Sequence, residues 1–151
     1  MTRFTFTWWL LASALFGTGC ASTRRRRRQA RAPRGRSVTV EATGYCKCGS
    51  CCGWKRNWLG RPVYTSGSLK GKPKEVGITA SGTMAQPFHT IAADTDVYPF
   101  GTKMFVPGYG WGVVEDVGGA IKGERIDLFF PSHQDALEWG RKEVTIEVIL
   151  P

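Results

Sequence analysis

Two acids set in short apolar runs are the first residues in this chain whose types and spacing suggest chemistry. Asp116 follows Gly112-Val113-Val114-Glu115, and Asp127 lies within Arg125-Ile126-Asp127-Leu128-Phe129-Phe130, with Gly118, Gly119 and Gly123 between them. In an extended Arg125 to Phe130, alternation puts Ile126, Leu128 and Phe130 on one face and Arg125, Asp127 and Phe129 on the other. In the preceding run the same rule makes Val114 and Asp116 share a face, opposite Val113, Glu115 and Val117. Two strands joined by a glycine-rich, hairpin-like turn would build a small acidic cleft, and paired carboxylates in a cleft suit proton transfer. Aspartates beside glycine also commonly cap turns, so the pattern alone leaves both roles open.

A second cluster is Cys46-Lys47-Cys48-Gly49-Ser50-Cys51-Cys52. Its spacing is tighter than the usual two-knuckle zinc pattern, yet four thiols can wrap one metal. In an oxidising compartment the same four can form two disulfides in any of three connectivities, which is the favoured reading here, ahead of a metal and of free thiols. Neither His89 nor His133 is paired to a cysteine by sequence position, so both read as surface or cap residues rather than as partners of a catalytic thiol.

These residues need a scaffold, and the 151-residue chain has room for one ordinary domain. The net charge of +9 has the sign of a nucleic-acid binder, but its placement argues otherwise. Nine of the 21 basic residues precede residue 37, with no acid among them, and the remainder balances 12 basic against 12 acidic residues. A neutral domain on a basic leash is a poor duplex binder, so no nucleic-acid partner is expected, and a monomer is.

The leash follows an export signal. Arg3, the apolar run Phe4 to Phe16 and the small residues Gly17-Thr18-Gly19 before Cys20 describe a secretory segment over residues 1–20. It resembles a bacterial lipoprotein signal, in which Cys20 is lipidated; plain cleavage and an uncleaved anchor are the alternatives. Residues 21–36 are Arg-rich, lack large apolar side chains and cannot bury enough surface to fold. They read as a solvated linker, or as a second membrane contact through anionic head groups.

From 37 to 151 the pattern is mostly β. Val38 and Val40 alternate in a first strand, Lys55 to Gly77 reads as a long loop with at most a short strand near Val63-Tyr64, and Thr90 to Asp94 is a second strand. Trp54, Trp58 and Tyr64 are candidate sugar-stacking rings as well as ordinary packing residues. Lys103 to Val106 and Glu143 to Leu150 are further strands, and Ser132 with Asp135 and Gly140 predicts one short helix near the C-terminus. Short strands separated by Gly and Pro turns predict a small barrel or sandwich.

Thr79-Ala80-Ser81-Gly82-Thr83, Ile91-Ala92-Ala93-Asp94, Pro99-Phe100-Gly101-Thr102, Val106-Pro107-Gly108-Tyr109-Gly110, Glu115-Asp116-Val117-Gly118-Gly119-Ala120-Ile121-Lys122-Gly123 and Arg125-Ile126-Asp127-Leu128-Phe129 stand in one order. Together they resemble the three-aspartate (3D) domain family, which includes the catalytic domain of the membrane-bound lytic transglycosylase A type. The resemblance covers about Val38 to Leu150. It implies a six-stranded double-psi β-barrel, with the three aspartates at Asp94, Asp116 and Asp127 and the catalytic acid/base at Asp127. A second carbohydrate-gripping domain like that of larger members is not expected within these 151 residues, and the Cys46 to Cys52 cluster is outside the core motif.

The implied reaction is non-hydrolytic cleavage of the MurNAc–GlcNAc β-1,4 bond in peptidoglycan, the muramic acid O6 hydroxyl attacking its own C1 to leave a 1,6-anhydro end. The nucleophile belongs to the substrate, so no cofactor is needed beyond a structural metal at the cysteines, should they hold one. Asp127 must then keep its proton near neutral pH, with burial, Asp116 and Asp94 all pushing that way. Gly118 and Gly119 amides with Thr79, Ser81 and Thr83 are expected to orient the sugar, and Lys122 and Arg125 to meet substrate carboxylates or remain solvated. The expected setting is the cell envelope, as an outer-membrane lipoprotein facing the periplasm and held by its lipid anchor, with glycan strands as partner. A non-catalytic, expansin-like wall-binding module and a cysteine-centred metal or redox protein are the competing readings.

Overall fold

The computed structural model describes residues 35–151. The export segment 1–20 with Cys20, and the leash up to residue 34, lie outside the described residues. No helix among the described residues is long and apolar enough to cross a membrane.

Eight strands and two short helices follow in order: β1 (Arg36–Tyr45), α1 (Gly49–Cys52), β2 (Trp54–Arg56), β3 (Pro62–Tyr64), β4 (Thr90–Ala93), β5 (Lys103–Val106), β6 (Gly110–Asp116), β7 (Arg125–Phe129), α2 (His133–Trp139) and β8 (Lys142–Ile149). Six strands close a barrel in the order β1-β7-β4-β6-β5-β8, with β8 returning antiparallel to β1. Two neighbours are parallel, β1 with β7 and β4 with β6, and the rest antiparallel, so this is the mixed six-stranded barrel the resemblance implied. β2 and β3 form a separate hairpin within the segment expected to be mostly loop.

The barrel closes because alternate residues can share one dry interior. Val38, Val40 and Ala42 of β1, Met104 and Val106 of β5, Ile126 and Leu128 of β7, and Ile146 and Val148 of β8 meet in a single buried cluster. Each fully buried aliphatic side chain contributes roughly 1.5–3 kcal/mol relative to exposure. The alternation read from β1 and β7 is the one observed.

Helix α2 starts and stops as its sequence dictates. Ser132 Oγ accepts from the Asp135 amide at 3.1 Å, and Gly140 ends the helix with a φ of +69°. It packs on β1 at Gly44, where an added Cβ would lie 2.8 Å from the Ala136 carbonyl oxygen. Glycine is required there by close approach. A second helix, α1, is a single turn inside the cysteine segment and was not expected from the sequence.

Two expectations fail for topological reasons. β6 and β7 are not a hairpin, because β4 lies between them. Val114 and Asp116 do not share an environment: Val114 sits in the barrel core, whereas Asp116 opens into a cleft. The cause is a register shift in the β4/β6 ladder, where Ile91 pairs with Val114 but the next residue, Ala92, pairs with Asp116. Skipping Glu115 is what a β-bulge does, and it re-aims the following side chain.

Candidate active site

The barrel order places the two acids on either side of one small residue. Thr43 on β1 pairs with Asp127 on β7, Asp127 with Ala92 on β4, and Ala92 with Asp116 on β6. One row of four strands therefore carries Thr43, Asp127, Ala92 and Asp116. At roughly 4.8 Å per strand, the two acidic backbones stand about 10 Å apart. Because Ala92 offers only a methyl group, the space between the carboxylates stays open, and a cleft of about 260 Å³ occupies it.

One wall is apolar. Tyr45, Ala92 and Phe129 form a buried cluster with Cys51, Cys52 and Ala85 against it, the Tyr45 and Phe129 rings meeting edge-on at 5.2 Å. Gly118 and Gly119 also line the cleft, and Lys47 and Lys74 supply cationic side chains.

Asp127 and Asp116 live differently within this cleft. Burial against the apolar wall raises the Asp127 carboxyl from 3.8 to about 6, and the Asp116 charge adds to that rise. Thr43 Oγ1 donates to its Oδ1 at 2.9 Å, which orients the group and partly offsets the rise. At pH 7 an acid at about 6 is protonated in about one molecule in ten, against about one in a thousand at the ordinary value. Asp116 is anchored instead: Oδ1 accepts from the Ala80 and Val117 amides at 3.0 and 2.9 Å, and Oδ2 from the Tyr45 hydroxyl at 3.0 Å. One carboxyl is poised to exchange a proton while the other is held as a fixed acceptor.

Asp94 stands elsewhere. It follows the end of β4, accepts from the Gly123 amide at 2.9 Å and pairs with Lys122 at 3.7 Å, and is not among the residues lining the cleft. The Gly123 amide holds its carboxyl below the usual range, the reverse of a proton-holding acid. The expectation of three acids around one cleft is thus corrected to two, with Asp94 fastening the Gly118–Gly123 turn. Lys122 is committed to Asp94, and Arg125 to Glu41 at 2.6 Å, so neither faces the cleft.

Thr79, Ser81 and Thr83 bond mainly to one another. Thr79 Oγ1 lies 3.0 Å from Ser81 Oγ and 2.9 Å from Thr83 Oγ1, and the loop they brace aims the Ala80 amide at Asp116. They position Asp116 rather than line the cleft. Trp54 and Tyr64 sit on the β2/β3 hairpin, and Trp58 at its tip is 90% exposed; none of the three lines the cleft.

The cysteines also rearrange the expectation. All four are unlinked, with Cys46 and Cys51 sulfurs 3.8 Å apart, so two disulfides are not the arrangement displayed. Cys52 turns away to donate to the Cys46 carbonyl at 3.1 Å and lines the cleft. His133, read as a cap or surface residue with no cysteine partner, instead brings Nδ1 to 3.3 Å from Cys51 Sγ and 3.6 Å from Cys48 Sγ.

Sequence reasoning missed Thr43, Tyr45, Lys47, Lys74, Ala92 and Phe129 as site residues. Three of them carried a signal: alternation put Thr43 and Tyr45 on the β1 face away from Val40 and Ala42, and Phe129 on the Asp127 face of β7.

Part of the chain is similar to known proteins. A family model described as the 3D domain matches residues 89–150. YabE of Bacillus subtilis (strain 168), whose name describes cell wall shaping, is 34% identical over 116 residues, covering 76% of this chain and 23% of that protein. The cell wall-binding protein YocH of the same organism is 45% identical over 76 residues, covering 48% of this chain and 26% of that protein. The chain thus spans about a quarter of the length of these curated relatives. Among solved structures, MltA from E. coli matches with a TM-score of 0.42 and 22% identity, over 53% of this chain and 30% of that one.

Proposed function

We propose, from the match of residues 89–150 to the 3D domain model, that the protein is a small lytic transglycosylase of the cell wall, cleaving MurNAc–GlcNAc bonds in peptidoglycan to 1,6-anhydro ends. The observation that carries the reading is Asp127: a carboxyl raised to about 6 by burial, in an open cleft across Ala92 from an anchored Asp116.

The steps are those the resemblance implies, assigned to the residues of this cleft. Protonated Asp127 donates to the glycosidic oxygen as the bond to C1 breaks, so the leaving sugar departs as an alcohol. The carboxylate left behind then accepts the O6 proton as O6 closes on C1, which restores Asp127 without water. A single residue serves both transfers, and a second carboxylate nucleophile is not required as in ordinary retaining glycosidases. Asp116 contributes negative charge beside a cationic, oxocarbenium-like sugar. Tyr45 and Phe129 offer an apolar face, Gly118 and Gly119 the rim amides, and Lys47 and Lys74 partners for lactyl or peptide carboxylates. On this proposal the chain acts in the cell envelope, exported by residues 1–20 and held to the outer membrane through Cys20.

A second reading has one specific support: YocH, 45% identical over 76 residues, is named for binding the wall. Digestion of purified sacculi separates the two. The enzyme predicts new 1,6-anhydromuropeptides by mass spectrometry that Asp127→Asn abolishes. Sacculus binding with no new chain ends, equal in both proteins, leaves the binding module as the answer.

A further inference from the structure

We propose that Cys46, Cys48, Cys51 and His133 form a zinc site that ties the wall of the cleft to helix α2. The four ligand atoms, three Sγ and one imidazole nitrogen, all lie within 4.8 Å of one another. Three of the six separations are 3.8 Å for Cys46 to Cys51, 3.6 Å for Cys48 to His133 Nδ1 and 3.3 Å for Cys51 to His133 Nδ1. Tetrahedral zinc with Zn–S of about 2.3 Å and Zn–N of about 2.0 Å requires S···S edges of about 3.8 Å and S···N edges of about 3.5 Å. These three edges lie within about 0.2 Å of those requirements, and the remaining pairs are all within 4.8 Å. Two linked disulfides need sulfurs at about 2.05 Å and would leave His133 without a role.

The backbone is arranged around these ligands. The single turn of α1 follows Cys48 directly and brings Cys51 back over it, with the Cys51 amide donating to Cys48 Sγ at 3.4 Å. An N–H···S bond of that kind stabilises the charge of a metal-bound thiolate. Gly53, at a φ of +58°, ends the turn and carries the chain away from the site. Cys52 is adjacent in sequence but its sulfur donates to the Cys46 carbonyl and stands outside the cluster, so the set is three cysteines and one histidine rather than four cysteines. Three soft thiolates and one imidazole in a tetrahedron select zinc over harder divalent ions.

Its role is architectural. Cys46 follows Tyr45, whose hydroxyl holds Asp116, and Cys51 lines the cleft. His133 opens α2, the helix packed on β1 at Gly44. One ion would therefore fix the cleft wall, the end of β1 and the start of α2 together. Metal content is read without any assay of glycan cleavage, so this inference stands or falls apart from the proposed function.

The test uses the full chain, purified without chelator or reductant and probed with zinc alone. One zinc per chain is expected, with Cys46, Cys48 and Cys51 protected from alkylation until a chelator removes the ion. Cobalt exchanged into the site should give the ligand-field and thiolate charge-transfer bands of a tetrahedral centre. His133→Ala should weaken zinc binding by at least about tenfold, His133→Cys should restore it, and Cys52→Ser should leave the stoichiometry unchanged. A metal-free chain with mapped disulfides within Cys46 to Cys52 overturns the proposal. So does zinc that His133→Ala leaves undisturbed and Cys52→Ser releases, since that pattern describes four thiolates.

Discussion

Replacing Asp127 by asparagine tests whether the cleft imposes a stability cost in order to hold a proton. Burial raises this carboxyl from 3.8 to about 6, a difference of roughly two units, and each unit is about 1.4 kcal/mol. The folded state binds the proton more tightly than the unfolded chain, so stability from this group is full below about pH 4. It falls as pH rises towards 6, by up to about 3 kcal/mol, and is level above that. Asparagine keeps the shape and can accept the Thr43 hydroxyl, but never carries the charge. Asp127 is only partly buried, and solvent screening makes 3 kcal/mol a ceiling. Urea unfolding of both full-length proteins across this pH range gives the answer as a difference, in which the other carboxylates cancel. The gap in favour of Asp127→Asn should be near zero under acid conditions and open to about 2–3 kcal/mol at neutral pH. A gap that stays flat, or opens in the acid direction, would refute the account of Asp127 as a carboxyl held protonated by burial.

Asp116→Asn removes the neighbouring charge, so Asp127 should titrate lower, by less than burial raises it, because burial is the leading cause. Carboxyl carbon NMR of Asp127 measures this directly, and an unmoved or raised titration contradicts it. If Asp127 is the acid of the proposed reaction, the alkaline fall of the activity profile moves to lower pH with it. Gly44→Val places a branched side chain where even a Cβ meets the Ala136 carbonyl at 2.8 Å and the Phe130 ring at 3.1 Å. We expect a loss of about 1–3 kcal/mol in urea unfolding as α2 is pushed off β1, and unchanged stability would mean that the helix is not seated there as described.

Local pattern determined much of this protein. The alternation around Asp127 gave its face correctly, with Ile126, Leu128 and Phe130 in the core and Phe129 beside the acid in the cleft wall. Ser132 and Gly140 bounded α2, and the valines of β1 announced a strand with one dry side. The ordered motifs implied the six-stranded barrel and singled out Asp127 and Asp116, which do line one cleft. The faces and the helix bounds are carried by residues within a turn or a few strand positions of one another, where side-chain direction follows from backbone period, whereas the barrel and the choice of acids came from the resemblance.

The tertiary structure decided what depends on distant segments meeting. Strand order inserted β4 between β6 and β7, so the acids face each other across Ala92 instead of across a hairpin. The bulge that turned Asp116 away from Val114 exists only in the pairing with β4, and an isolated strand has no register to shift. Asp94 shares the motif but not the cleft, because its carboxylate is taken up by the Gly123 amide and Lys122. His133 reaches the cysteines through the packing of α2 on β1, a contact made by Gly44 and Ala136, neither of which is a candidate for chemistry. Sequence set which residues were capable of chemistry, and closure of the barrel, driven by burial of its shared interior, selected which of them came to stand together.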